Sequence, residues 1–225
     1  MTTALLFDMD GVLVDVSRSY RKAVQETVAA FLGKSIRKEM VMEYKNRGGF
    51  NNDWDLTEQI LLDHNFKVDK EKIIRVFQDL YLGTDYTGLI RNEIWLLPKK
   101  LLLELIRTYP CGIVTGRPGE DADYVLKRFN MQSFFSAVIT MDHLPEDRQK
   151  PHPMGIHLAL KELDCTSGFY FGDNVDDMKA AAAAGIKAIG VIPPGEDPVS
   201  HKENLFRHGA EAVLQSIQDL KEVIS

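Results

Sequence analysis

Five short apolar runs, each closing on polar or glycine residues, punctuate the sequence: ALLFDMDG (4–11), CGIVTGR (111–117), AVITMDH (137–143), GFYFGDN (168–174) and KAIGVIPPG (187–195). Between most of them lie stretches with apolar residues three and four apart: PKKLLLELIRTY, GEDADYVLKRFN, PHPMGIHLALKELD and NVDDMKAAAAAG. That spacing puts the apolar side chains on one face of a helix. Strands alternating with helices leave few architectures open, and the simplest is an α/β fold, a doubly wound parallel sheet covered by helices on both faces. In such sheets ligands bind beyond the carboxyl ends of the strands, where all five runs carry their polar residues.

One connection breaks the rhythm. About 95 residues separate the first strand from CGIVTG, whereas a parallel crossover needs only about a dozen. The excess holds the helical patterns VSRSYRKAVQETVAAFLG, LTEQILLDHN and KEKIIRVFQDLYLG. Residues 16–95 therefore read as an inserted, all-helical domain, and 1–15 with 96–225 as the core. The five alanines 180–184 read as a close-packed helix face.

The first run contains two aspartates, Asp8 and Asp10, where burial is costly: an unpaired carboxylate in a dry interior protonates or finds a cation. Residues two apart in a strand share a face, so both are expected to point at one spot, with Gly11 turning the chain away. An EF-hand calcium loop is excluded. It needs an oxygen ligand, Gly and Glu at its fifth, sixth and twelfth positions, which here hold Val12, Leu13 and Ser19.

A second acidic cluster follows the fourth run, where Asp173 ends the strand and Asp177 lies one helical turn on. Asp176 also reads as an acidic residue at a helix start. Aspartates gathered at one sheet edge repel unless a cation joins them, and a few hard oxygen ligands completed by water suit Mg²⁺. Thr115 ends the second core strand, where its hydroxyl and the following amides, Gly116 first, can hold an anion; a helix cap is the other reading. Lys150 precedes a proline-led helix and reads either as a solvated charge or as the cation of the site. With Asp10 protonated, three carboxylates balance Mg²⁺ and Lys150, so the site can admit a phosphate dianion.

The ordered set DxD, Thr, Lys-Pro and GDxxxD resembles the haloacid dehalogenase superfamily over the whole core, and the insert looks like that family's helical cap. The resemblance implies Asp8 as nucleophile, forming a phosphoaspartyl enzyme, and Asp10 as general acid and base. It implies Mg²⁺ on Asp8, Asp173 and the backbone carbonyl of Asp10, with Thr115 and Lys150 on the phosphoryl oxygens. Asp177 would orient metal waters or Lys150. Dehalogenase members lack the second aspartate, so Asp10 favours phosphate esters over halides. The expected activity is a Mg²⁺-dependent phosphomonoesterase acting on a small phosphorylated metabolite, similar to the phosphoglycolate phosphatase group. The alternatives are a hexose phosphomutase of the β-phosphoglucomutase type and a catalytically silent sensor of phosphorylated ligands.

Within the insert, EYKNRGGFNNDWD (43–55) reads as a polar connection that could face substrate, with Lys45, Arg47, Asn51, Asn52 and Trp54 as candidates. An ordinary helix–helix turn anchored by Trp54 is the competing reading. Arg117, beyond Thr115, is either a helper or a solvated charge.

The remaining expectations are exclusions. A net charge of −6 with no long basic block argues against a nucleic-acid surface. No run of 18 apolar residues occurs, and the start MTTALLFDMDG lacks the pattern of a signal peptide. Two cysteines, Cys111 and Cys165, suit reduced thiols in a cytoplasmic protein. A nucleotide-dependent kinase is disfavoured, since no GxxxxGK[ST] loop occurs. No oligomeric state is implied.

Overall fold

A computed structural model describes residues 2–50 and 52–224. The chain divides into two compact units, Met1–Val14 with Trp95–Ser225, and Asp15–Ile94.

The first unit is built on six parallel strands. They are β1 (Thr3–Phe7), β4 (Cys111–Val114), β5 (Ala137–Ile139), β6 (Ser167–Gly172), β7 (Lys187–Val191) and β8 (Ala212–Leu214), in the spatial order β5-β4-β1-β6-β7-β8. Two short strands, β2 (Val14–Asp15) and β3 (Ile94–Trp95), pair separately. Strand β1 is central, with Phe7 beside Ile113 of β4 on one side and Phe171 of β6 on the other. Ala4 to Phe7 are fully buried, which is why the strand reads as an unbroken apolar run rather than an alternating one.

Alternate residues still separate the two faces. Leu6, Val114, Ile139 and Tyr170 pack with Ile156 and Ala159 of α7 (Met154–Glu162) and with Met178 and Ala181 of α8 (Val175–Ala184). On the other face Phe7 stacks on Phe171, with ring centroids 5.1 Å apart, and meets the edge of Phe135. Of the five alanines only Ala180 and Ala181 are buried, and Ala182 and Ala183 face out. The remaining helices of this unit are α5 (Lys99–Leu105), α6 (Gly119–Phe129), α9 (Pro198–Arg207) and α10 (Lys221–Ile224). The sequence reading does not anticipate β8 or α9.

The chain runs from β1 to β4 and then β5 on one side, and from β6 to β7 and then β8 on the other. The direction of winding therefore reverses between β1 and β6. A crevice opens at such a reversal, beyond the carboxyl ends of the strands.

The second unit is helical from α1 (Tyr20–Leu32) through α2 (Lys38–Arg47), α3 (Asp53–Asp63) and α4 (Lys70–Tyr81) to two 3₁₀ turns that end at Asn92. Val24 and Val28 of α1, Leu56 and Ile60 of α3, and Ile73 and Phe77 of α4 form its core. Tyr20 stacks on Tyr81 at 4.0 Å between centroids. Buried Glu93 accepts hydrogen bonds from Ser19 and Tyr81 at 2.9 and 3.0 Å. The stretch 43–55 is not a continuous polar connection. It holds the end of α2, a glycine-rich link and the start of α3.

Candidate active site

Asp8 immediately follows β1 and Asp173 immediately follows β6, so the winding reversal brings the two acidic motifs side by side. Carboxylate oxygens of Asp8, Asp173 and Asp177 all lie within 4.8 Å of one another. Residues 165 positions apart thus meet because β1 and β6 are neighbours in register. The strand ends at Phe7, however, so alternation along a strand does not place Asp10. A tight turn does: the amides of Leu13 and Val14 both donate to the Met9 carbonyl at 2.9 Å, and Gly11 N donates to Val14 O at 2.8 Å. Gly11 has φ 77°, which glycine adopts without strain. A Cβ there would overlap Asp173 Oδ2, so the missing side chain also lets the turn approach that carboxylate.

Lys150 holds the acidic cluster together. Its ammonium lies 3.0 Å from Asp8 Oδ1 and 2.7 Å from Asp177 Oδ1, and it donates to the Tyr170 hydroxyl at 3.2 Å. The Tyr170 hydroxyl itself donates to the Val114 carbonyl at 2.9 Å. Asp177 Oδ2 accepts from the amides of Asp173 and Asn174, both at 3.1 Å, and Asn174 caps α8 through the amides of Asp176 and Asp177. Both oxygens of Asp177 are therefore engaged, which fits a residue that positions Lys150 and the β6–α8 turn. Buried Asp176 sits at the start of α8.

Burial sets the electrostatics. Asp8 is 3% exposed, and desolvation pushes its carboxyl well above the ordinary carboxylate range. Lys150 opposes this shift, while Asp177, Asp173 and Asp10 add to it. Desolvation works against the Lys150 ammonium, yet Asp177 and Asp8 hold its pKa well above the ordinary value. Burial likewise raises the Tyr170 phenol, against the pull of Lys150.

Arg117 is neither solvated nor incidental. It is 1% exposed, and its Nε and Nη2 reach the same oxygen, Oδ1, of Asp10 at 2.6 and 2.5 Å. The charge balance changes accordingly. Four carboxylates, those of Asp8, Asp10, Asp173 and Asp177, now face the two side-chain cations Lys150 and Arg117, which leaves negative charge for a divalent ion to offset. Thr115 accepts from the Arg117 amide at 3.2 Å, so its hydroxyl proton is directed elsewhere. Gly116 lies inside this turn.

The residues fit a divalent cation by their chemistry: hard carboxylate oxygens, two of them on Asp8 and Asp173, converge where burial penalises an uncompensated charge. In the helical unit, Asn52 caps α3 by accepting from the Trp54 amide at 2.9 Å. Lys45 pairs with Asp53 at 2.6 Å, and exposed Arg47 lies 4.7 Å over the Tyr44 ring. Trp54 is half-buried. Asn51 lies outside the described residues.

A family model described as haloacid dehalogenase-like hydrolase matches residues 5–191, a span that contains every motif of this site. The chain belongs to the haloacid dehalogenase-like hydrolases. Among curated relatives of this hydrolase, an imidazoleglycerol-phosphate dehydratase of Phytophthora nicotianae is 39% identical over 200 residues. The match covers 85% of the chain but only 43% of that protein. A pyrophosphatase PpaX of Bacillus pumilus (strain SAFR-032) is 27% identical over 229 residues, covering 98% of the chain and 95% of the relative. A crystal structure of a conserved haloacid dehalogenase-like protein of unknown function from Agrobacterium tumefaciens superposes with a TM-score of 0.77 at 22% identity. It covers 100% of this chain and 98% of that one. Family membership and the relative matched over nearly its whole length support phosphatase-type activity for this haloacid dehalogenase-like hydrolase.

Reading the sequence undervalued Arg117 and missed Tyr170 and His201. His201, on α9, is 4% exposed and lies with Nε2 2.6 Å from the Asp173 carbonyl. A tyrosine inside an apolar strand reads as core, and a lone histidine 28 residues past the motif carries no local signal.

Proposed function

We propose that this hydrolase is a Mg²⁺-dependent phosphomonoesterase for a small phosphorylated metabolite, working through a phosphoaspartyl intermediate on Asp8. The carrying observation is the convergence of Asp8, Asp173 and Lys150 at the winding reversal, with a buried ammonium 3.0 Å from the proposed nucleophile. An Asp8 oxygen bonds to phosphorus as the bond to the leaving oxygen breaks, and Asp10 gives that oxygen its proton. Asp10 then takes a proton from water as the water oxygen attacks phosphorus. The phosphoaspartyl bond breaks, freeing phosphate and restoring Asp8. Thr115 and Lys150 hold the equatorial oxygens as their charge develops. Asp8, Asp173 and the Asp10 carbonyl would hold Mg²⁺, which when bound neutralises charge on the phosphoryl oxygens. In this reading the helical unit is the family's cap, and Arg47, Asn52 and Trp54 are its candidate specificity residues. The pyrophosphatase name of a full-length relative places phosphoanhydrides beside simple esters as substrates to examine, and the protein is expected to work in the cytoplasm.

The test is a phosphate-release screen over sugar, nucleotide, carboxylate and pyrophosphate substrates with Mg²⁺. Asp8→Asn keeps the size of the side chain but removes the nucleophile, so release should fall by roughly 10⁴-fold or more with an unchanged circular dichroism spectrum. Chelation should stop turnover, and excess Ca²⁺ should inhibit because its larger, looser coordination misplaces Asp8. Full turnover in EDTA, or by Asp8→Asn, would overturn the assignment.

A further inference from the structure

The fork of Arg117 on Asp10 gives this site a component that the four motifs do not contain. Both nitrogens converge on Asp10 Oδ1, while the Asp10 side chain is 29% exposed and that of Arg117 is 0% exposed. The Arg117 backbone is itself pinned: its amide donates to Thr115 Oγ1 at 3.2 Å, and its carbonyl accepts from Met141 N at 3.1 Å. A guanidinium is a planar, always-charged fork, and burial leaves it few rotamers. It therefore fixes the azimuth of the Asp10 carboxyl. With Oδ1 held by two donors, Oδ2 is the oxygen turned toward an incoming group.

We infer that Arg117 is a positioning residue for leaving-group protonation, holding Asp10 by Oδ1 so that Oδ2 meets the departing oxygen. This rests on the proposed phosphomonoesterase chemistry and adds a role for a residue outside its motifs. Arg117 touches neither phosphorus nor the leaving group in this scheme. It acts through Asp10, so its removal should cost most where protonation matters most. Esters of alcohols leave poorly as bare alkoxides and need the proton, whereas esters of acidic phenols depart as stable anions and need it little.

The experiment measures kcat/KM, which covers the steps up to departure of the leaving group, for phenyl phosphates of graded acidity and for an alkyl phosphate. The unaltered protein, Arg117→Met and Arg117→Lys are compared, each also on an Asp10→Asn background. Arg117→Met should lower kcat/KM for the alkyl ester by roughly 10²-fold, but by only about 3-fold or less for 4-nitrophenyl phosphate, steepening the dependence on leaving-group acidity. Arg117→Lys keeps the charge without the fork, and should recover part of the alkyl activity. On the Asp10→Asn background neither replacement should add a further loss, because coupled residues are non-additive. Equal losses across the series, or full additivity with Asp10→Asn, would show a general structural role and overturn the inference. If Arg117→Met melts too early to assay, Arg117→Lys carries the comparison, and an unchanged slope there overturns it equally. Failure of the unaltered protein to release phosphate from any of these esters would sink the parent reading along with this one, whereas parallel slopes sink this one alone.

Discussion

Removing the ammonium of Lys150 would leave Asp8 and Asp177 facing each other in a space almost closed to water, since they are 3% and 0% exposed. Breaking a buried ionic cluster by deleting one partner costs about 3–5 kcal/mol. Lys150→Met should therefore lower the urea midpoint strongly in chelator, and added Mg²⁺ should recover part of the loss by supplying positive charge at the same carboxylates. Chemical denaturation with and without the ion checks this; an unchanged midpoint would mean that Lys150 does not compensate these charges. At this scale much of the candidate site was legible, because a charge in an apolar run is conspicuous: Asp8, Asp10 and Asp173 announce themselves, and Lys-Pro joins them through motif order. Arg117 did not, since an arginine after a glycine looks solvated until the fold closes around it. Tyr170 and His201 stayed hidden because their roles depend on neighbours 20 and 28 residues away.

Helices α2 and α3 show what local pattern can and cannot reveal. α1, α3 and α4 were readable because their apolar residues recur at helical spacing over more than two turns. α2 buries only Val41 and Tyr44, too little for a stripe, so its C-terminal half passed for a loop. Edge strand β8 spans only Ala212–Leu214, and no aspartate or glycine closes its apolar run as Asp142 closes that of β5. α2 gains a tether that periodicity cannot show: the Tyr44 hydroxyl donates to Asp63 at the end of α3. Burial and this bond push the Tyr44 phenol from 10.0 up to about 12. A raised folded value means that the native state keeps a proton the unfolded chain gives up. The stabilisation is therefore complete below pH 10 and is lost as pH climbs from 10 towards 12. Tyr44→Phe should cost about 1 kcal/mol at neutral pH. Thermal melts of the two proteins should then converge across that alkaline window. A gap that stays constant from neutral pH to pH 12 would contradict the tether.

The two units differ in how much of their packing is local in sequence. Asp15–Ile94 is a single continuous segment of helices, whereas the sheet unit must join its first 14 residues to everything after Trp95. Nearby contacts form sooner than distant ones, because closing long loops is slow. Pulse-labelled hydrogen exchange during refolding should show amides around Val24, Ile60 and Phe77 protected before those of Leu5, Leu6 and Phe7. Simultaneous protection would indicate one cooperative event instead. The position of β1 has a consequence for a chain being synthesised. At roughly 5–20 residues per second, its neighbours β4 and β6 emerge many seconds after it, leaving a sticky segment with both edges bare. Charges flanking such a segment discourage it from joining its copies on other nascent chains. Asp8 and Asp10 would thus guard solubility well before either has chemistry to perform.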